Sequence, residues 1–158
     1  MRKIVPNLWF DTEAEEAAEF YCSLFEDSKI QDVVAYPEGG PGEPGTTMLV
    51  SFQLLGQDYV AINGGPQFPF TEAVSFEVRC DGQEEVDRLW EALTADGGQE
   101  VQCGWLKDKY GLSWQIVPDR WLEIATGPDP KKVEAAFKAM LGMKKLDIAA
   151  LERAYDEG

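Results

Sequence analysis

The sequence predicts an α+β protein, in which two βαβββ modules form a curved mixed sheet and a helical tail follows at the C-terminus. The order of one strand, one helix and three strands occurs twice, at about residues 4–63 and 73–118. Local patterns also repeat, since the acidic and then aromatic helical segment at residues 15–21 is echoed at residues 84–90. A doubled order with local similarity indicates an internal repeat, which is the basis of the predicted fold class.

The first module begins with a strand at residues 4–10, where Pro6 near the start suits an edge position. The apolar spacing that follows predicts a helix at residues 12–25. Thr12 is the expected N-cap, and Glu15 three residues later completes a capping box.

The remainder of the first module is predicted to contain three strands and one long loop. A strand at residues 29–36 leads into residues 37–45, where Pro and Gly dominate, so we expect a mobile loop there. This loop is either a lid over a binding site or a solvated connection. Residues 46–55 and 58–63 predict a hairpin with its turn at residues 56–57.

The second module repeats the element order. One helix is predicted at residues 82–96, and the two glycines after it terminate it. Strands are predicted at residues 73–80, 99–103, 105–107 and 112–118. The first of these strands alternates, so Ser75 and Glu77 share the face opposite to Phe76.

The C-terminal segment departs from the repeat. Helices are predicted at residues 130–141 and 147–155, with Asp147 as the N-cap of the second. A short amphipathic tail must pack either on its own domain or on a partner subunit. We therefore expect one domain over residues 1–120 and a helical extension over residues 121–158.

The charge and composition restrict the possible partners. The formal net charge is −15, and such a surface repels nucleic-acid phosphates and anionic lipid head groups, so we expect neither nucleic acid nor membrane as a partner. No apolar run approaches the roughly 20 residues of a membrane span, and the N-terminus lacks an apolar signal core. Three cysteines form no disulfide framework, which suits a reducing cytoplasm.

Three segments carry a resemblance to a known family. They are VPNLWFDTEAEEAAEFYCSLF, AINGGPQFPFTEAVSFEVRC and CGWLKDKYGLSWQIVP. Together with the doubled module, they resemble the vicinal oxygen chelate superfamily, which includes glyoxalases, and more closely its PhnB-like branch, whose members often carry the label demethylubiquinone methyltransferase. The resemblance covers residues 4–118. It implies a glyoxalase-like fold, often a homodimer, with a cavity inside the curved sheet.

Metal-dependent members of this superfamily bind a divalent ion through His, Glu or Gln side chains on the first and last strands of each half. The resemblance places the corresponding positions at Asn7 or Val5, at Ala61 with Asn63 next to it, at Ser75 and at Gln115. Divalent ions of this kind prefer imidazole, thiolate or carboxylate ligands. Amides and a hydroxyl are poor substitutes, so we expect neither a metal nor another cofactor, and we expect Gln115 to hydrogen-bond within the cavity.

Residues on the inward faces are predicted to line the cavity, namely Asn7, Trp9, Ala61, Asn63, Ser75, Glu77, Cys103, Trp105 and Gln115. Glu77 is the candidate catalytic base, which requires burial to raise its pKa, and the alternative is that Arg79 neutralises it. Gln115 either binds a ligand or bonds to a neighbouring strand. A nucleophilic Cys103 would require a base that a chain without histidine does not supply.

Two further polar and aromatic assignments leave alternatives. Trp9 shares a face with Asn7 and either lines the cavity or only packs. Asn63 precedes a glycine pair, so a role in the turn competes with ligand orientation. Trp114 alternates with Gln115 and is therefore expected in the core, on the helix side of the sheet.

The sequence favours a metal-free protein that binds an unidentified small molecule in an aromatic and amide cavity. The alternatives are a histidine-free enzyme, with Glu77 as base and Gln115 and Asn63 as polarising donors, and a purely structural dimer. A methyl donor usually binds a glycine-rich turn after the first strand. Residues 11–15, DTEAE, contain no glycine, so the label of methyltransferase has no motif to support it.

Overall fold

The computed structural model describes residues 3–158, which form two compact units that divide between Phe70 and Thr71. Each unit contains one βαβββ module with a four-stranded mixed sheet. The predicted α+β class and its internal repeat are therefore confirmed. The second unit also contains the C-terminal helices.

The first unit is formed by elements β1 (Asn7–Phe10), α1 (Ala14–Leu24), β2 (Lys29–Ala35), β3 (Thr47–Leu54) and β4 (Gln57–Asn63). The strand order is β1-β4-β3-β2, with β1 parallel to β4 and the other pairs antiparallel. The first strand begins at Asn7, three residues later than predicted. Residues 4–6 are not part of a strand, and Ile4 is exposed.

Helix α1 covers one face of the first sheet. Its apolar residues recur at helical spacing and are buried: Ala14, Ala17, Ala18, Tyr21 and Leu24. The sheet residues on the covered face include Leu8, Val50 and Phe52, which are also buried. Burial of one such large apolar side chain contributes about 1.5–3 kcal/mol to stability.

The predicted capping box at the start of α1 is wrong. The residue before the helix is Glu13, and its side chain makes no capping hydrogen bond. Ala14 N instead donates to Asn63 Oδ1 at 2.8 Å. A residue at the end of β4 thus satisfies the first helical amide, and Thr12 is not required as a cap.

Hydrogen bonds of Tyr36 connect the two ends of the loop at residues 37–45. Tyr36 N donates to Thr46 O at 2.8 Å, and Gly45 N donates to Tyr36 O at 3.1 Å. The Tyr36 hydroxyl donates to the carbonyl of Asn63. These bonds hold the two ends of the loop together, whereas its mobility and its role as a lid stay predictions.

The second unit is formed by elements β5 (Ser75–Cys80), α2 (Gln83–Thr94), β6 (Gln99–Glu100), β7 (Trp105–Lys107), β8 (Ser113–Pro118), α3 (Asp119–Ala125), α4 (Pro130–Leu141) and α5 (Ile148–Glu157). The strand order is β5-β8-β7-β6, with β5 parallel to β8. Helix α3 was not predicted. In residues 3–158 no helix is both long enough and apolar enough to cross a membrane.

Helix α2 presents four buried side chains, Val86, Leu89, Trp90 and Leu93. The sheet contributes Trp114, which is 2% exposed and makes an edge-to-face contact with Phe76 at a centroid distance of 5.4 Å. The prediction that Trp114 belongs to the core is therefore confirmed.

The C-terminal helices pack on their own unit. The buried residues of this tail cluster are Val117, Trp121, Ile124, Ala136, Met140, Leu146 and Leu151. Gln83 at the start of α2 joins the tail, because its Nε2 donates to Leu146 O at 3.0 Å and its Oε1 accepts from Ile148 N at 2.8 Å. Asp147 Oδ1 accepts from Ala150 N at 3.1 Å, which confirms the predicted N-cap of α5.

Candidate functional site

The turn before β8 fixes the orientation of the last strand. The Asp108 carboxylate is only 2% exposed and accepts hydrogen bonds from Tyr110 N at 2.9 Å, Leu112 N at 3.1 Å and Trp114 Nε1 at 2.9 Å. Trp114 is thereby held on the α2 side of the sheet. Because successive side chains of a strand alternate, Gln115 lies on the other side.

The side of the second sheet away from α2 is termed the polar face. Its residues are Ser75, Glu77 and Arg79 on β5, Ser113, Gln115 and the buried Val117 on β8, and Trp105 and Lys107 on β7. The register aligns Trp105 with Gln115 and Gln115 with Glu77 in one row. It aligns Lys107, Ser113 and Ser75 in the adjacent row. Residues predicted from three strands are therefore brought together here.

Gln115 is half-buried and bonds to the neighbouring strand. Its Nε2 donates to Ser75 Oγ at 2.9 Å. This is the second of the two roles that the sequence allowed for the amide. Within residues 3–158 no protein group donates to Gln115 Oε1, so the amide is fixed at one end and has an acceptor available at the other.

Ser113 is a residue that sequence reasoning missed. It is 1% exposed, and its Oγ has no hydrogen-bond partner among the described residues. Most buried hydroxyls in proteins have a partner, and leaving one without a partner costs about 1–3 kcal/mol. Strand alternation from Gln115 would have indicated its face, but not the missing partner.

An ion pair joins β7 to the segment before β5. Lys107 Nζ on β7 contacts the carboxylate of Glu72, which precedes β5. The hydrogen bond from Lys107 is the main cause that lowers the pKa of Glu72, and a backbone hydrogen bond and the charge of the ammonium act in the same direction. Glu72 lies outside any strand, so no sequence pattern indicated this contact.

Glu77 lies on the polar face, as predicted, but its side chain is 36% exposed. Arg79 Nε is 3.6 Å from Glu77 Oε2, which is the neutralising pair that the sequence left as the alternative. The catalytic role requires a desolvated carboxylate, and the Glu77 side chain is not desolvated. Catalysis by Glu77 stays a prediction.

The candidate site residues of the first module lie on both faces of its sheet. β1 pairs with β4 so that Leu8 lies opposite Ala61, and Ala61 is fully buried under α1 with its neighbours. Asn63 shares that covered face, whereas Asn7 and Trp9 lie on the opposite one. The four residues predicted to line one cavity are therefore not brought together on one face of this sheet.

The hydrogen bonds of Asn63 are structural. Its Oδ1 accepts from Ala14 N, and its Nδ2 donates to Thr47 O at 3.1 Å. Asn7 is exposed, and its Nδ2 donates to Val5 O at 3.0 Å. Neither amide is held in a position to bind a ligand by the residues around it.

Trp9 is packed by the segment after β4. Its Nε1 donates to Gly65 O at 2.9 Å, and its ring makes an edge contact with Phe68 at a centroid distance of 5.0 Å. A Cβ at Gly64 would overlap the indole, so only glycine allows this approach. These contacts favour the packing role of Trp9 over the lining role.

Cys103 lies in the turn before β7 and not on a strand. Its backbone has φ +59°, its N donates to Met143 O at 2.8 Å, and its side chain packs partly against the tail cluster. The structure thus associates Cys103 with the tail.

Burial is the main cause that raises the pKa of Cys80 to about 12, so that thiol stays protonated at neutral pH.

The residues at the metal positions of the superfamily do not suit a divalent ion. The chain has no histidine, and in residues 3–158 no three Cys, Asp or Glu side chains are grouped as ligands. Ser75 and Gln115 bond to each other, and Ala61 is buried under α1. This donor set lacks the imidazole and carboxylate ligands that such ions prefer.

The doubled βαβββ topology, with a parallel outer pair in each sheet, defines a glyoxalase-like protein. The sequence matches the family described as 3-demethylubiquinone-9 3-methyltransferase over residues 2–117. The chain belongs to this family, which is the PhnB-like branch that the three sequence segments predicted. No curated protein matches the chain.

Solved structures agree with this assignment. A PhnB protein from Bacillus cereus, which bears the name of a 3-demethylubiquinone-9 3-methyltransferase, is 38% identical with a TM-score of 0.68, over 74% of this chain and 99% of that one. A Pseudomonas aeruginosa protein is 20% identical with a TM-score of 0.60, over 75% and 98% of the two chains, and shows the fold alone. The family match ends at residue 117, before the C-terminal helices.

Proposed function

We propose that this protein binds a small organic molecule on the polar face of the second sheet, without a metal ion. The observation that carries this proposal is the fixed amide of Gln115 beside the buried hydroxyl of Ser113, which has no partner in residues 3–158. Small-molecule sites commonly combine a few fixed polar groups with aromatic surface. Gln115 supplies an acceptor, Ser113 supplies a donor, and Trp105 in register with Gln115 supplies the aromatic surface.

Binding is favoured over the two enzymatic alternatives. The family name describes methyl transfer, but residues 11–15 after β1 contain no glycine and the sheets are mixed, not doubly wound and parallel. A base at Glu77 is exposed and paired with Arg79. Absence of S-adenosylmethionine binding by calorimetry would support this preference, whereas stoichiometric binding would restore methyl transfer as a candidate.

The location and partners are part of the proposal. We propose a cytoplasmic homodimer that binds neither nucleic acid nor membranes. Three free cysteines support a reducing compartment, and the net charge of −15 disfavours phosphate backbones and anionic lipids. The dimer is implied by the superfamily resemblance.

Native mass spectrometry of the untagged protein is the first test. A histidine tag must be absent because it would add the ligands that this chain lacks. The expected result is a dimer, either bare or with a co-purified organic mass. Additional mass equal to that of a divalent ion, removed by a chelator, would contradict metal-free binding.

A fragment screen by NMR tests the site itself. We expect the fragments that bind to shift the side-chain amide resonances of Gln115. Gln115→Leu and Ser113→Val should each weaken those fragments about tenfold, the factor expected when one hydrogen bond to a ligand is lost. Ser51→Ala, which removes a half-buried hydroxyl from β3 of the other sheet, is the matched control and should change nothing. If no fragment perturbs Gln115, the proposed function is overturned.

A further inference from the structure

We propose that the ligand of the polar face carries a carboxylate, which replaces Glu72 as the partner of Lys107 and also accepts a hydrogen bond from Ser113. This inference rests on the proposed function, because it assigns a ligand class to the same site. It treats the carboxylate of Glu72 as an internal substitute for the carboxylate of the ligand.

The first step is the path of the ion pair across the sheet. Lys107 on β7 lies opposite Ser113 on β8, and Ser113 lies beside Ser75 on β5. Glu72 is three residues before Ser75. Strand β8 lies between β7 and β5, so the contact of Lys107 with Glu72 reaches from one side of β8 to the other, near the start of that strand. Strands are about 4.8 Å apart, so two extended side chains span the two intervals.

The second step concerns the burial of Ser113, which lies next to Lys107 in the sheet. Ser113 is in the same row as Lys107, and it is 1% exposed although its face is not covered by α2. In this proposal the ion pair between Lys107 and Glu72 is part of what covers Ser113. Its displacement would give a ligand access to a hydroxyl that has no other hydrogen-bond partner in residues 3–158.

The third step is that Glu72 is readily displaced. Its side chain is 58% exposed and belongs to the irregular segment before β5, whereas the Lys107 side chain is 34% exposed on the sheet. Exposed ion pairs contribute little to stability, because both groups are well solvated when they separate. A competing carboxylate thus replaces the weak contact between Glu72 and Lys107. It makes its own contact with Lys107 and also accepts a hydrogen bond from Ser113.

The fourth step is the choice of a carboxylate attached to a planar body. A carboxylate has two oxygens, so one can face the Lys107 ammonium while the other accepts from Ser113. A neutral group offers no charge to replace that of Glu72. Trp105 is two residues before Lys107 on the same face, about 7 Å along the strand. An aromatic ring attached to the carboxylate therefore reaches the indole.

Benzoate and its neutral analogue benzamide test this inference by calorimetry on the full, untagged chain. We expect wild-type protein to bind benzoate more tightly than benzamide. Glu72→Gln should tighten benzoate binding about two- to fivefold, the factor that corresponds to loss of a competing exposed ion pair, and should leave benzamide unchanged. Lys107→Gln should abolish the preference for benzoate. Lys109→Gln, two residues further along the chain, is the charge-matched control and should keep it.

The outcomes separate this inference from the proposed function. Equal affinities for benzoate and benzamide, absence of benzoate binding, or a benzoate preference that survives in Lys107→Gln would each overturn the carboxylate assignment. If the binding of neutral fragments still depends on Gln115, the proposed function would then remain intact. Glu72→Gln predicts a gain of affinity, so the test does not rely on a variant that merely loses binding through misfolding.

Discussion

Replacement of Asp108 is expected to destabilise the second unit strongly. Its buried carboxylate accepts three hydrogen bonds, from Tyr110 N, Leu112 N and Trp114 Nε1. Leu112 and Trp114 are buried at 1% and 2% exposure, so water cannot readily replace the lost acceptor at these two donors. Asp108→Ala therefore leaves at least two buried N–H groups without a partner.

The magnitude follows from the cost of such groups. A buried donor left without its acceptor costs about 1–3 kcal/mol, so two of them predict a loss of about 4 kcal/mol in the free energy of unfolding. Asp108→Asn retains Oδ1, which serves the two backbone donors, but directs an amide N–H at Trp114 Nε1. We expect it to lose about 2 kcal/mol, since one buried donor is then unsatisfied.

Urea denaturation followed by circular dichroism measures both variants. The matched control is Asp129→Ala, which removes a carboxylate that is only half-buried and accepts from Lys131 N and Lys132 N at the start of α4. Loss of this less buried cap should cost about 1 kcal/mol. If Asp108→Ala costs no more than Asp129→Ala, burial does not decide the value of these bonds, and the reasoning is refuted.

Three further predictions concern the structural amides and the ion pair. Asn63→Ala should lower the free energy of unfolding by about 2 kcal/mol in urea, because a helix cap and a second hydrogen bond are lost, and it should leave fragment binding unchanged, contrary to a lining role. Gln83→Ala should speed amide exchange at Ile148, which loses its acceptor; unchanged exchange would contradict the attachment of the tail through this residue. Lys107 lowers the pKa of Glu72, so the stabilisation by this pair is present above the unfolded-state pKa and is lost as the pH falls through the lower folded-state pKa. Thermal melts of wild type and Glu72→Gln should therefore differ at neutral pH and converge in acid, and a difference that grows in acid would contradict this sign.

Hydrophobic periodicity predicted most elements, because the core face of each helix and strand repeats at a local spacing. It did not predict helix α3, which has seven residues directly after Pro118 and is stabilised by the burial of Trp121 and Ile124 in the tail cluster. Short helices depend on tertiary packing more than on their own propensity. The same reason explains the start of α1, where Asn63 from β4 replaced the predicted local capping box.

The site was predicted better in the second module than in the first. Alternation from Phe76 correctly placed Ser75 and Glu77 on one face, because only one set of alternate residues on β5 is polar. On β4 both sets of alternate residues contain apolar side chains, so alternation alone did not decide which side of the sheet Ala61 faces. The pairing of Leu8 with Ala61 decided between them, and pairing register is not a local property of either strand.

The sequence by itself determined the two modules, the family, the acidic charge and the lack of imidazole ligands, since each depends on composition or on local order. Only the tertiary structure decided which polar groups meet. Gln115 bonds to Ser75 from 40 positions away, and Lys107 on β7 contacts Glu72 before β5, although β8 lies between these two strands. These contacts arise because strand pairing brings distant segments to within one side-chain length, a distance that no local period in a chain encodes.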